Sequence, residues 1–301
     1  MKKWLGLCGL VVLLVLSACS GSNGQEDNES KTNDGQDTKV ASSSDDNQEE
    51  KEAGESDQDS GNPSETEKNK DEEKDSTSNK EDEQASAQTP EYQINENWFF
   101  KPIKDANPKV ALLTFDDSPD EHAVKMAQTL KKMNAPAIFF VNGHFLNSPE
   151  GKEKLKKIHD LGFMIGNHTE THASLPDLSK EEQKKEIVGL NDKIEKIIGE
   201  RPQFFRAPFG QNTDYSRQLA ANEKMLVMNW TYGYDWNKEY MDADKIADIM
   251  VNTPLLANGS NLLMHDREWT AKALPRIVNG LRDKGYELLD PALIKTPANT
   301  D

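Results

Sequence analysis

Between residues 20 and 90 the chain carries no aromatic side chain, and Val40 is its only large aliphatic one. A stretch of Ser, Asn, Gly, Gln, Asp, Glu and Lys cannot bury enough apolar area to offset the entropy of ordering it. Residues 20–92 are therefore expected to be a disordered acidic tether, and any core must come from the roughly 200 residues that follow. The charge divides the same way. Of 53 acidic residues about 22 fall in residues 21–90, against about 7 of the 36 basic ones, so most of the formal charge of −17 sits there. From residue 91 onward acidic and basic residues nearly balance. No basic stripe exists to displace phosphate counterions, so nucleic acid is not an expected partner. Cys8 and Cys19 are the only cysteines. The folding part is left without disulfides, thiolate metal ligands or Cys nucleophiles.

The first nineteen residues, MKKWLGLCGLVVLLVLSAC, read as an address and not as fold. Lys2 and Lys3 give a positive start, and Trp4–Leu16 is an apolar run too short for an ordinary membrane-spanning helix. Leu16-Ser17-Ala18-Cys19 resembles the lipobox of bacterial lipoproteins. That resemblance implies Cys19 as the lipid-bearing mature N-terminus, with Cys8 lost in the signal peptide. The expected location is the extracellular face of the bacterial cytoplasmic membrane, lipid-anchored. An ordinary secretory signal or an uncleaved anchor is the plainer reading of the same run. About 70 residues of tether span at most about 240 Å extended and about 45–50 Å as a coil. Such a reach suits cell-wall polymer, and a spacer of untuned length fits equally well.

From about residue 93 short apolar runs alternate with amphipathic stretches. KVALLTF (109–115), AIFFVNG (137–143), FMIGN (163–167), FFRA (204–207), MLVMNW (225–230), NLLMH (261–265) and YELL (286–289) are expected strands. Expected helices lie between them at 119–133, 149–161, 179–198, 213–222, 242–252 and 269–283. Their ends carry punctuation: Ser118-Pro119 and Pro149 as starts, Ser179 as a cap, Gly199 as a stop. About seven βα units predict an α/β fold with a parallel sheet covered by helices. A doubly wound sheet and a barrel share this order, and the polar residues favour the barrel. Asp116-Asp117, His168, Arg206, Asp235 and His265 each fall at or just past the C-terminal end of a strand. In a barrel those ends ring one mouth. Trp98, Phe99 and Phe100, just before the first strand, are expected in the core or as a barrel plug.

The chemistry sits at those strand ends. Asp116 and Asp117 form a carboxylate pair, more than a helix-capping turn needs, and the two suit a split between holding a cation and moving a proton. His168 and His172 are four apart beyond a strand, where two imidazoles can share a metal. With a carboxylate from Asp117 they make a His2Asp set, which leaves a position open for water. The helical H-E-x-x-H and H-x-x-E-H patterns are not matched. Taken singly, Arg206 reads as an ion-pair residue, Asp235-Trp236 as a weak dipeptide, and His265 as a satisfied core histidine.

Their joint order says more. TFDDSP, HTETHASL, RAPFG, YDW and LLMHD, each at a strand end, resemble the five motifs of the polysaccharide deacetylase (NodB-homology) family, carbohydrate esterase family 4. The resemblance covers about residues 108–290, within an expected catalytic domain of 93–301. It implies a distorted (β/α) barrel of about seven parallel strands and a metal-dependent N-deacetylase of polysaccharides. Asp116 then resembles the catalytic base, and Asp117, His168 and His172 the metal ligands. Arg206 resembles the residue that orients the base, Asp235 the partner of the catalytic His, and His265 the catalytic acid. Leu263 resembles the floor under the acetyl methyl and Trp236 a wall of the groove. Phe209 stands where the family usually has Tyr, and its backbone N–H resembles the oxyanion donor. Ser118 replaces the commoner Gly of the first motif.

The implied cofactor is one divalent ion, zinc first, with cobalt, nickel, manganese or iron also suited. The implied substrate is cell-wall peptidoglycan or a chitin-like oligosaccharide, met by a monomer held at the membrane. Two other readings compete. A solute- or metal-binding lipoprotein shares the lipobox, but about 200 residues in one alternating domain fit a two-lobed binder poorly. A silent member of the family that only binds wall polymer has no use for a base and an acid.

Overall fold

The structure, a computed structural model, describes residues 89–300. The expected signal peptide, Cys19 and nearly all of the expected tether lie outside the described residues. The described chain enters through a short antiparallel hairpin, β1 (Tyr92–Ile94) and β2 (Phe100–Pro102). Next comes β3 (Val110–Ser118), buried at every position from Val110 to Asp116. Such a run fits a strand covered on both faces. Parallel strands flank it: β4 (Ala137–Val141), then β5 (Met164–Asn167), β6 (Phe204–Phe205) and β7 (Leu226–Val227) on one side, β9 (Ser260–His265) and β8 (Tyr232–Gly233) on the other. β10 (Glu287–Leu288) pairs in parallel with the first two residues of β3.

The sheet must curl. Its edge strands, β7 and β8, are separated by only four residues, 228–231. Five residue steps reach at most about 18 Å, whereas seven strands laid flat would put the edges about 29 Å apart. The edges are drawn together, and the sheet becomes a curled half-barrel. The expected single strand at 225–230 is therefore corrected. Its first half is β7, the chain then crosses the gap, and β8 at Tyr232–Gly233 forms the opposite edge, a strand the hydrophobic pattern did not show.

The period of two along each strand sorts the core. Ala111, Leu113, Phe115 and Phe139 face outward onto Met126 of α1 (Ala123–Lys132), Leu155 of α2 (Pro149–Asp160) and Ile277. Val110, Leu112, Ile138 and Phe140 face the other way, where Tyr92, Phe100, Phe204 and Met228 fill the interior. Phe100, from the expected plug, is thus core. Gly259, at φ +79°, lets the hairpin approach: a Cβ there would sit 2.0 Å from the Phe100 carbonyl oxygen.

The remaining helices follow the punctuation closely. The Ser148 side chain caps α2, with Pro149 at its first position. The expected helix 179–198 forms with a full capping box at Ser179 and stops at left-handed Gly199. It is interrupted, however: α3 (Lys180–Lys184) and α4 (Leu190–Ile198) are joined by a π-helical turn, Lys185–Gly189. α5 (Asp214–Asn222), α6 (Ala243–Asn252) and α7 (Glu268–Asp283) complete the layer. One start is corrected. Ser118 ends β3 and Ser118-Pro119 does not cap α1, which begins at Ala123. The Asp266 carboxylate, just past β9, accepts from the N–H groups of Asp120, His122 and Ala123 instead.

Candidate functional site

Thr114 and Asp116 continue the inward-facing series of β3 beyond Leu112, so polar side chains enter the upper end of the barrel interior. Arg206, just past β6, meets them there and is fully buried. Its Nη1 donates to Thr114 Oγ1 at 2.9 Å and to Asp116 Oδ1 at 2.6 Å, and its Nη2 to the Asn229 carbonyl at 3.0 Å. The guanidinium stacks on Phe140, 4.3 Å from the ring centroid. Gly166 leaves room for that ring, since a Cβ would fall 2.5 Å from it. Burial pulls the Arg206 pKa down, while the charge of Asp116 works against that fall. A buried cation of this kind is tolerable only because a carboxylate pairs with it.

Adjacent residues of a regular strand point to opposite faces. Asp117 escapes this rule. The pairing of β3 with β4 shifts between Phe115 and Ser118, and Asp117 is left-handed at φ 56°. The irregularity re-aims its carboxylate to the mouth that Asp116 faces. There the ligand atoms of Asp117, His168 and His172 all lie within 4.8 Å of one another. His168 Nδ1 bonds the Arg206 carbonyl oxygen at 2.7 Å, which leaves Nε2 facing the carboxylates. Burial holds the His168 pKa below the usual imidazole range, so the ring is neutral and keeps a lone pair to offer. Two imidazoles and one carboxylate are a donor set suited to a divalent ion such as zinc.

The loop that carries the two histidines is strained and clamped. Thr169 and His172 have φ of 71° and 60°, conformations that persist only where the surroundings impose them. Glu186, in the π turn, accepts from Thr171 N at 2.8 Å and Thr171 Oγ1 at 2.7 Å. Its carbonyl accepts from Glu170 N. Asn167 donates to the Ile187 carbonyl of the same turn and accepts from Thr169 N. Glu186 and Asn167 carry the clamp, and the sequence reading gave neither a role.

On the other side of β3, β9 delivers His265 beside Asp116 in the strand register. Asp235 Oδ1 lies 2.7 Å from His265 Nδ1, and Asp235 Oδ2 accepts from His265 N and Thr270 Oγ1. Burial lowers the His265 pKa, but the Asp235 hydrogen bond and the surrounding carboxylates outweigh it, and the net shift is upward. Nδ1 is committed to Asp235, so Nε2 is the nitrogen left for other work. Asp116, Asp117, His168, His172 and His265 line one cleft of about 380 Å³. Leu263 lies buried in its wall, while Phe209 and Trp236 stand at its rim, 62% and 43% exposed. Arg206 and Asp235 lie behind Asp116 and His265.

The polysaccharide deacetylase family model matches residues 103–228. A peptidoglycan-N-acetylglucosamine deacetylase of Bacillus cereus is 31% identical over 188 residues, which are 60% of this chain and 68% of the relative. This chain belongs to the polysaccharide deacetylase family, carbohydrate esterase family 4. Peptidoglycan-N-acetylmuramic acid deacetylase PdaC of Bacillus subtilis is 35% identical over 188 residues, 62% of this chain but 38% of PdaC. The structure of peptidoglycan deacetylase PdaC matches with a TM-score of 0.55 at 33% identity, covering 62% of this chain and 91% of that one. The curled half-barrel of parallel strands is the fold of this family.

Of the residues singled out from the five motifs, Asp116, Asp117, His168, His172, Phe209, Trp236, Leu263 and His265 line the cleft, and Arg206 and Asp235 hold Asp116 and His265 from behind. Two more cleft residues were missed: Trp230, packed edge-on to Trp236, and Arg267, whose Nη2 donates to Asp117 Oδ2 at 3.0 Å. Trp230 lay inside an expected strand, and Arg267 follows LLMHD by one position, so neither carried a signal of its own. Phe209 sits at φ 58° at the rim of the cleft.

Proposed function

We propose that the protein is an extracellular, lipid-anchored N-deacetylase that hydrolyses N-acetyl groups on amino sugars of cell-wall peptidoglycan and releases acetate. One observation carries this reading: a single cleft brings together an Arg-held carboxylate, an Asp-held imidazole and a three-residue cluster fit for a cation. The relatives named above act on peptidoglycan by name. The location and the anchor rest on Leu16–Cys19 and its resemblance to a lipobox.

Asp117, His168 and His172 would hold the divalent ion, zinc by choice of donors. Bound there, such an ion supplies Lewis acidity to a water and to a carbonyl oxygen. The chain's own groups do the rest. Asp116, fixed by Arg206, takes a proton from the water as its oxygen attacks the acetyl carbon. The Phe209 N–H faces the oxyanion that forms, and one such donor is worth about 2.7–4 kcal/mol of barrier. His265 gives a proton to the amine nitrogen as the carbon–nitrogen bond breaks. Acetate and a free-amine sugar leave. Leu263 meets the acetyl methyl, and Phe209 and Trp236 flank the sugar.

The test measures acetate released from purified peptidoglycan and from chitin oligomers, with and without a chelator. Asp116→Asn and His265→Ala are each expected to lower kcat at least about a hundredfold with the fold retained by circular dichroism, and Asp116→Asn is also expected to lower the unfolding midpoint, because it leaves Arg206 buried without its carboxylate. Near-normal turnover in either variant, or full activity in chelator, sinks the assignment. For the anchor, Cys19→Ser is expected to move the protein from the membrane fraction to the soluble one, and retention at the membrane would refute it.

A further inference from the structure

The mechanism leaves Arg267 unused. Nη1 donates to the Asp266 carbonyl at 3.1 Å and Nη2 to Asp117 Oδ2 at 3.0 Å. A guanidinium offers five N–H donors in one plane, so three remain beyond these two bonds. The side chain is 37% exposed, and among the described residues that line the cleft it is the only Lys or Arg. The other arginine of the site cannot serve substrate, because Arg206 is fully buried behind Asp116 with both amino groups engaged. The cleft therefore holds one open, planar, permanent cation, and such a fork matches a carboxylate with two parallel hydrogen bonds.

Its position limits which carboxylate it can meet. Arg267 touches Asp117, whose Oδ1 faces His172 Nε2 at 3.7 Å. On the deacetylase reading above, on which this inference rests, the acetamido group reacts at that spot. A ring position next to the acetamido carbon brings an anion within reach of Arg267. We propose that Arg267 sets substrate specificity by binding a carboxylate on the 3-oxygen substituent of a 2-acetamido sugar, as the lactyl ether of a muramyl unit without its stem peptide provides. A glucosaminyl unit offers only a hydroxyl there and leaves the free donors of Arg267 without a charged partner.

Glycan strands stripped of peptide carry free lactyl carboxylates, and the same strands with those carboxylates converted to methyl amides carry none. Deacetylated muramyl units in both are counted by mass spectrometry, with N-acetylglucosamine oligomers as a neutral control. The wild-type protein is expected to show kcat/KM about tenfold or more higher on the free carboxylate, mostly through KM. Arg267→Gln is expected to bring that ratio close to one, whatever loss the two substrates share. Arg267→Lys keeps the charge but not the fork, and an intermediate ratio is expected. A wild-type ratio of one, or a ratio that survives in Arg267→Gln, overturns the proposal and leaves the deacetylase reading standing. No acetate from any of the three substrates overturns the deacetylase reading itself.

Discussion

Asp116 and His265 show how little of a residue's chemistry lies in the residue. Each is one of many such side chains in the chain, and each is set apart by what it is bonded to: Arg206 for one, Asp235 for the other. The Asp235 contact has a readable sign. A general acid must start protonated, and the Asp235 bond and charge raise the His265 pKa above its ordinary value despite burial. The alkaline limb of the pH–rate profile is therefore expected above the ordinary imidazole range. Asp235→Asn removes the charge and leaves the desolvation, so that limb should move to lower pH. A profile unmoved by Asp235→Asn would show that His265 does not titrate in the rate. In the sequence, Asp235-Trp236 was a weak signal alone and gained its meaning only from the company of four other motifs. Arg267 had no such company and stayed silent until its guanidinium was seen against Asp117.

At the scale of elements, strand and helix ends were legible wherever local chemistry sets them. Ser148, Ser179, Thr213 and Asp242 all cap helices through their own side chains. The start of α1 was not legible, since its cap is Asp266, supplied from 143 residues away. The π turn Lys185–Gly189 was equally hidden, because hydrophobic spacing hardly distinguishes it from α-helix. Its function is visible in its contacts, for it anchors the loop that carries His168 and His172. Glu186→Ala is expected to weaken metal binding about 10–100-fold, measured by competition with a chelating dye. It should also cost about 1–3 kcal/mol of stability, because Thr171 loses both acceptors. An unchanged metal affinity would mean that the histidine loop holds its shape without the π turn.

In the described domain as a whole, the barrel interior is divided. Its lower part is apolar, closed by Tyr92 and Phe100 from the entry hairpin, and its upper part holds Thr114, Asp116 and Arg206. The site is rigid because it stands on that packed floor. Phe100→Ala opens a cavity under the inner strands and is expected to cost about 3–5 kcal/mol, read from urea unfolding. A loss below about 1 kcal/mol would show that the hairpin is not part of the cooperative core. The sequence by itself determined the alternation of strands and helices and the order in which polar residues arrive at strand ends. These are local matters of composition and periodicity. Only the tertiary structure decided that the two edges of the sheet approach across residues 228–231, that a shifted register turns Asp117 to the same mouth as Asp116, that Glu186 clamps the histidine loop, and that Asp266 and Arg267 act on partners far along the chain. Those outcomes depend on which backbones lie side by side, and periodicity along one segment carries no information about its neighbours.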